Sequence, residues 1–283
     1  MSVFDKLRLT VTLSLSKCDN ETEQIKKLNE VNKIKDLKSN NEVVENLNEK
    51  TLAEIVTDNI RSAIVFEEYG LDFCCNGKRL LSEACQEKNV DVNDVINSLA
   101  GLDINKESEN ANYWEPDFLI DYIINNHHQY VRRMIPVISL HFDKVASVHG
   151  ANHPETKQIA DLFLAVRQEL ESHMMKEERI LFPYIKQLYN AQKNNEPIAP
   201  PPFGTIQNPI RMMEAEHQSA GNAMHKIREL SDNFVTPEDA CNSYKALYSE
   251  LKEFEEDLHK HIHLENNILF PKAIESEEDL FSL

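Results

Sequence analysis

The 283 residues give a prior of two domains, or one domain with extensions, and 48 acidic against 30 basic side chains set a formal charge of −18. That balance argues against nucleic acid and anionic membranes as partners, because phosphate contacts need a basic face. No run reaches the roughly 18 apolar residues of a membrane span, and five cysteines at irregular spacings are no disulfide framework and point to a reducing, cytoplasmic setting.

Residues 1–50 read as an extension, either solvated and partly disordered or used for targeting. The start, MSVFDKLRLTVTLSLSKC, sets Lys6, Arg8 and Lys17 against Asp5 but lacks the continuous apolar centre of a secretory signal. Its alternating Leu7, Leu9, Val11, Leu13 and Leu15 read as extended, which weakens an organelle presequence in residues 1–45 without removing it. Residues 17–50, rich in Asn, Lys and Glu, have the composition of a solvated segment.

Residues 51–101 form a small helical domain. Thr51 and Glu54 stand at capping-box spacing and open a first helix. A second, through NIRSAIVFEEYG, ends on Gly70, the residue best suited to a left-handed helix terminus. LDFCCNG then makes a turn carrying Cys74 and Cys75, KRLLSEACQEK a third helix, and DVNDVINSLAG a fourth capped by Asp91. Two adjacent thiols can serve redox exchange or hold iron if their pKa is lowered, or can simply be two small apolar residues in a turn. Residues 102–115 read as a linker.

Residues 116–283 carry a four-helix pattern, so the fold class is all-α. The first long helix runs from about 116 to 148, bent at Pro136, and the second from about 154 to 189. AQKNNEPIAPPPFGTIQNP, with five of the eleven prolines, cannot be helical. A third helix covers about 209–230. The fourth is expected to start at TPED, with Thr236 as cap, Pro237 at the first position and Asp239 closing the box, and to reach about 274.

One phrase occurs twice in this region, HMMKEERILFP at 173–183 and HIHLENNILFP at 261–271. His128 precedes His173 by 45 residues and His217 precedes His261 by 44, so one helical hairpin is repeated about 88 residues later. Two such hairpins about a pseudo-twofold axis would bring four His and two Glu to one level of a bundle. Residues i and i+4 share a helix face, so His173 with Glu177, and His261 with Glu265, can each grip a common centre. A carboxylate can bridge two cations about 3.5–4 Å apart, and mixed imidazole and carboxylate donors suit iron, zinc or manganese. A single His-x-x-x-Glu is usually a surface pair or a satisfied core histidine; two copies in register are not explained by packing. The Ile-Leu-Phe-Pro that follows each copy reads as core packing and a bend at a helix end. His127, His141, His149, His153, His225, His259 and His263 lie on other faces or too far along the axis for this centre. A ferritin-like Glu-x-x-His pattern fits Glu214–His217 and Glu256–His259, but it does not recur between the halves.

With these ligands and the preceding DFCCNG module, residues 51–275 resemble the iron–sulfur cluster repair di-iron proteins, which have a hemerythrin-like domain. The resemblance implies a hemerythrin-like bundle with two non-haem irons, an oxo or hydroxo bridge, and a role in repairing clusters damaged by nitric oxide or oxidants, through iron donation rather than conventional enzyme turnover. It carries over His128, His173, Glu177, His217, His261 and Glu265 as metal ligands, the two Glu bridging, and Cys74 and Cys75 as a redox or iron-transfer pair. Implied partners are damaged iron–sulfur proteins or cluster scaffolds, with nitric oxide or oxygen as small ligands; a homodimer is open. The alternatives are a hemerythrin-like oxygen or nitric oxide binder or sensor, and a di-iron oxidase or nitric oxide reductase. The 50-residue extension and the long proline-rich loop depart from the family pattern.

Overall fold

A computed structural model describes residues 47–102 and 111–281. The expectations for residues 1–46, and for most of the linker, lie outside the described residues. Residues from Lys50 onward form one compact unit.

Four short helices come first: α1 (Leu52–Asp58), α2 (Ser62–Glu68), α3 (Leu81–Lys88) and α4 (Val92–Ala100). Each begins or ends where local chemistry dictates. The Thr51 hydroxyl accepts from the Glu54 amide at 3.2 Å while the Glu54 carboxylate accepts from the Thr51 amide at 2.8 Å, a complete capping box. Asp91 caps α4 by accepting from the Asn93 amide at 2.9 Å. Gly70 takes φ +65, as a left-handed terminus requires.

Four long rods follow. The first joins α5 (Pro116–Tyr122), a wide turn at Ile123–His128 and α6 (Gln129–His149). The second joins α7 (Glu155–Lys176), a wide turn at Glu177–Leu181 and α8 (Phe182–Asn194). The third is α9 (Gln207–Leu230), and the fourth joins α10 (Asn242–Leu264), a wide turn at Glu265–Leu269 and α11 (Phe270–Phe281). Neighbouring rods pack α6 on α7, α7 on α9 and α10 on α6. Among the described residues no helix is long and apolar enough to cross a membrane.

The first rod departs from regular α-helix at Ile123–His128, where no proline stands, and Pro136 lies within α6. The Ile-Leu-Phe-Pro segments lie inside the rods rather than near their ends, because the rods run past the expected limits of about 189 and 274 to Asn194 and Phe281. A proline inside a helix clashes with the carbonyl four residues back and lacks an amide to bond it. Pro183 and Pro271 each follow a turn widened to i→i+5 bonding, in which the amides of Phe182 and Phe270 reach the carbonyls of Glu177 and Glu265. Finally, the fourth rod starts at Asn242 behind Cys241, not at Thr236, because the Asp239 carboxylate is engaged by His153 at 2.9 Å instead of closing a capping box.

The core runs the length of the bundle. Beyond the wide turns, Leu119, Ile120, Leu181, Phe182, Ile185, Leu264, Leu269 and Phe270 form one buried cluster with Ile206 and Ile210. Glu277 is buried with them, its oxygens accepting the Ile206 amide at the start of α9 and the Tyr184 hydroxyl at 3.0 Å. Burying this apolar surface on both sides fixes the level at which the four rods meet.

Candidate metal centre

The wide turns carry the chemistry. Glu177 and Glu265 are the first residues of theirs, and His128 is the last of its own. A wide turn accommodates an extra residue, re-aiming the side chains at its start toward the bundle axis. The helix that directly follows each of the Glu177 and Glu265 turns begins with Phe-Pro and stacks its phenyl ring on an imidazole: Phe182 on His128 at 5.8 Å and Phe270 on His217 at 6.2 Å.

The structure brings the six expected residues to one buried level, with no side chain more than 2% exposed. Their donor atoms fall into two groups, His128, His261, Glu177 and Glu265, and His173, His217, Glu177 and Glu265, with every atom of a group within 4.8 Å of the others. Both glutamates belong to both groups. Glu265 places Oε1 3.0 Å from His261 Nε2 and Oε2 3.0 Å from His217 Nε2. Glu177 Oε2 lies 3.3 Å from His173 Nε2 and 3.4 Å from His128 Nε2.

A hydrogen-bonded core would not be built this way. Both Glu177 oxygens, Glu265 Oε2 and His128 Nε2 have no hydrogen-bond partner, although a buried unpaired polar atom costs about 1–3 kcal/mol. His173 Nε2 and His217 Nε2 face each other at 3.0 Å, while the Nδ1 atom of each ring already donates outward. Ligand atoms at right angles on bonds of about 2.1 Å lie about 3.0 Å apart, which is the separation found here. The donor set therefore fits a pair of cations.

Electrostatics lead to the same point. Burial opposes charge on His173, but Glu177, with help from Glu216 and Glu265, holds the imidazole up at about 10. His261 is likewise raised by Glu265 against its burial. Burial pushes Glu265 upward, yet His261 and His217 keep it well below its ordinary value. Without metal, protons on the imidazoles balance two carboxylates in a dry site; bound cations would displace those protons.

A second layer of residues, which the sequence reading did not single out, holds the imidazoles. His128 Nδ1 donates to Glu178 Oε1 at 2.7 Å, and Arg132 donates to the same oxygen at 2.8 Å. His173 Nδ1 donates to Glu216 Oε2 at 2.8 Å, with Lys176 on the other oxygen. His217 Nδ1 donates to Asn266 Oδ1 at 2.8 Å. Such partners fix the tautomer that leaves Nε2 free as a ligand and raise its basicity. The repeat was the available signal: Glu178 and Asn266 each directly follow a shared glutamate. Glu216 directly precedes His217, and its counterpart, directly preceding His128, is His127. His127 cannot take Glu216's role. It donates to Asp257 at 3.0 Å and stacks on His261 at 5.6 Å, and His261 Nδ1 is left without a partner.

Comparison with known proteins gives the family. Residues 119–273 match the hemerythrin HHE cation binding domain, and residues 27–103 match a domain of unknown function (DUF542). The iron–sulfur cluster repair protein YtfE of Enterobacter sp. (strain 638) is 36% identical over 232 residues, covering 81% of this chain and 98% of the relative. A probable iron–sulfur cluster repair protein of Haemophilus influenzae is 37% identical over 229 residues, covering 80% of this chain and 97% of the relative. The chain belongs to the iron–sulfur cluster repair protein family. Its bundle is accordingly a hemerythrin-like cation-binding domain. The match to the first module begins at residue 27, within what the composition alone assigns to an extension.

In this family member the double cysteine rests directly on the bundle. Asn267, two residues past Glu265, donates to the carbonyls of Phe73 and Cys74, each at 3.3 Å. Cys75 Sγ approaches within 3.9 Å of where a Cβ would stand on Gly221, one turn beyond His217. The Cys74 and Cys75 sulfurs are 3.9 Å apart and both thiols are free. Cys74 is buried, and its bond to Cys75 together with that burial pushes its thiol well up; Cys75 is half-buried and is the more accessible of the two.

Proposed function

We propose that this protein holds two iron ions in the bundle and repairs iron–sulfur clusters damaged by nitrosative or oxidative stress, by giving iron back to them. The observation that carries the reading is the sharing of Glu177 and Glu265 between two buried His pairs, in a chain whose relatives are named iron–sulfur cluster repair proteins. His128 and His261 would hold one ion, His173 and His217 the other, and the two glutamates would bridge them alongside an oxo or hydroxo group. When bound, the ions supply redox-active iron as cargo.

The chain's own residues do the rest. Glu178, Glu216 and Asn266 keep three imidazoles aimed inward. When iron leaves, His173 and His261 take up protons at Nε2 and keep the two carboxylates compensated, which their raised proton affinity supports. Cys74 and Cys75 are assigned to iron transfer, with Asp72 as third donor; the three form a group of ligand atoms within 4.8 Å of one another, and a bound ion would have to displace the proton that burial and Cys75 hold on the Cys74 thiol. The recipients are damaged iron–sulfur proteins or cluster scaffolds in the cytoplasm.

The test is recovery. Iron-loaded protein added to a dehydratase inactivated by nitric oxide should restore its activity, with loss of iron from the donor. Recovery without iron loss, or no recovery, would overturn donation. Reversible oxygenation would then favour a carrier, and sustained consumption of nitric oxide or peroxide would favour an oxidase or reductase.

A further inference from the structure

A second group of ligand-bearing side chains lies at the other end of the bundle. His149 ends α6, 21 residues beyond His128, or about 30 Å at 1.5 Å per residue. His153 stands in the turn before α7, and Asp239 in the turn before α10. Their donor atoms lie within 4.8 Å of one another. His153 Nε2 donates to Asp239 Oδ1 at 2.9 Å, and its Nδ1 donates to Glu155 Oε1 at 2.9 Å. The pairing joins the two turns, and Asp239 forgoes the helix cap that its sequence position offers.

An imidazolium clamped between two carboxylates would explain His153 by itself. It does not explain His149. This ring is 93% buried against Tyr244 and His153, with centroids 5.3 and 6.1 Å away, and its Nε2 has no hydrogen-bond partner. An unpaired nitrogen in that position is the one left open in a ligand imidazole. The surroundings repeat a construction of the bundle centre, where a carboxylate on Nδ1 fixes the tautomers of His128 and His173: Glu155 does for His153 what Glu178 does for His128.

We propose that His149, His153 and Asp239 bind a single divalent transition ion of the zinc or ferrous class, with water in the remaining position. Two imidazoles and one carboxylate with an open face are the donors such ions take. Asp239 is 53% exposed and His153 only 17%, so the ion has an entry path from solvent on the carboxylate side. Bound there, it cross-links the turn between the first two rods to the turn between the last two. The site does not depend on the iron assignment, because it shares no residue with the bundle centre.

Cobalt(II) is the probe. The full chain, iron-loaded at the bundle centre, is titrated with cobalt(II) and followed by metal analysis and visible d–d absorption. One cobalt per chain is expected in addition to the two irons, with affinity weakened about ten-fold or more in Asp239→Asn and His153→Ala. His149→Gln should do the same. Asp239→Asn alters an exposed side chain, and retention of both irons reports that each variant is folded. Absence of a further cobalt in the parent protein, or unchanged affinity in both Asp239→Asn and His149→Gln, overturns the site.

Discussion

Glu216 shows how much a single residue outside the ligand set decides. His173, opposed by partial burial and aided by Lys176, holds its carboxyl at about 2, so it stays ionised at any physiological pH. Removing that charge leaves His173 without its orienting acceptor, and such changes typically weaken metal binding by about 10–100-fold. Glu216→Gln should therefore lower iron affinity by about that factor in a chelator competition, with the helical circular dichroism unchanged; an unaltered affinity would contradict the role. The six proposed ligands themselves stood out in the sequence because packing does not ask for His-x-x-x-Glu twice at equal spacing. Glu178 and Glu216 did not stand out, since acidic residues are common on solvated helix faces and their counterparts, Asn266 and His127, differ in chemistry. His127 illustrates the limit: its offset from His128 on the helix was legible, but its stacking on His261 depends on rods brought together only by the fold.

Among the elements, the wide turns govern the result. The double Ile-Leu-Phe-Pro was visible and both helices were expected to run past it, yet periodicity cannot show that a helix widens by one residue before its proline. The start of the fourth rod was misread for a related reason: TPED has the local chemistry of a cap, but Asp239 bonds His153 from another turn, and tertiary contact overrides local preference. The small module was more legible, because Thr51, Gly70 and Asp91 act through bonds to near neighbours. Its docking depends on Asn267, which also donates to His263 Nδ1 at 3.1 Å. Asn267→Ala leaves the Phe73 and Cys74 carbonyls without that donor, at about 1 kcal/mol per hydrogen bond. Amides of residues 71–77 should exchange several-fold faster while those of α9 keep their protection; equal protection in the variant would refute the docking role.

At the scale of the molecule, charge and metal are linked. In the metal-free protein His173 is raised to about 10, so its contribution to stability is complete below its unfolded value of about 6.5 and lost as pH rises through 10. His263 has the opposite sign. Burial lowers it to about 4, so its contribution is complete above about 6.5 and lost as pH falls through 4. Metal-free protein should thus melt highest near pH 6.5 and lower on both sides in calorimetry. Metal loading should flatten the alkaline limb, because the ion has already displaced the His173 proton; a limb that persists unchanged after loading would contradict the linkage. At the centre of the bundle, we propose, two irons share Glu177 and Glu265. The most direct test is metal analysis with Mössbauer spectroscopy of protein isolated without added metal, alongside His173→Ala and Glu265→Ala. Two coupled irons per chain, with at least one lost in each variant, is the predicted result. Unchanged metal content in both variants would contradict it.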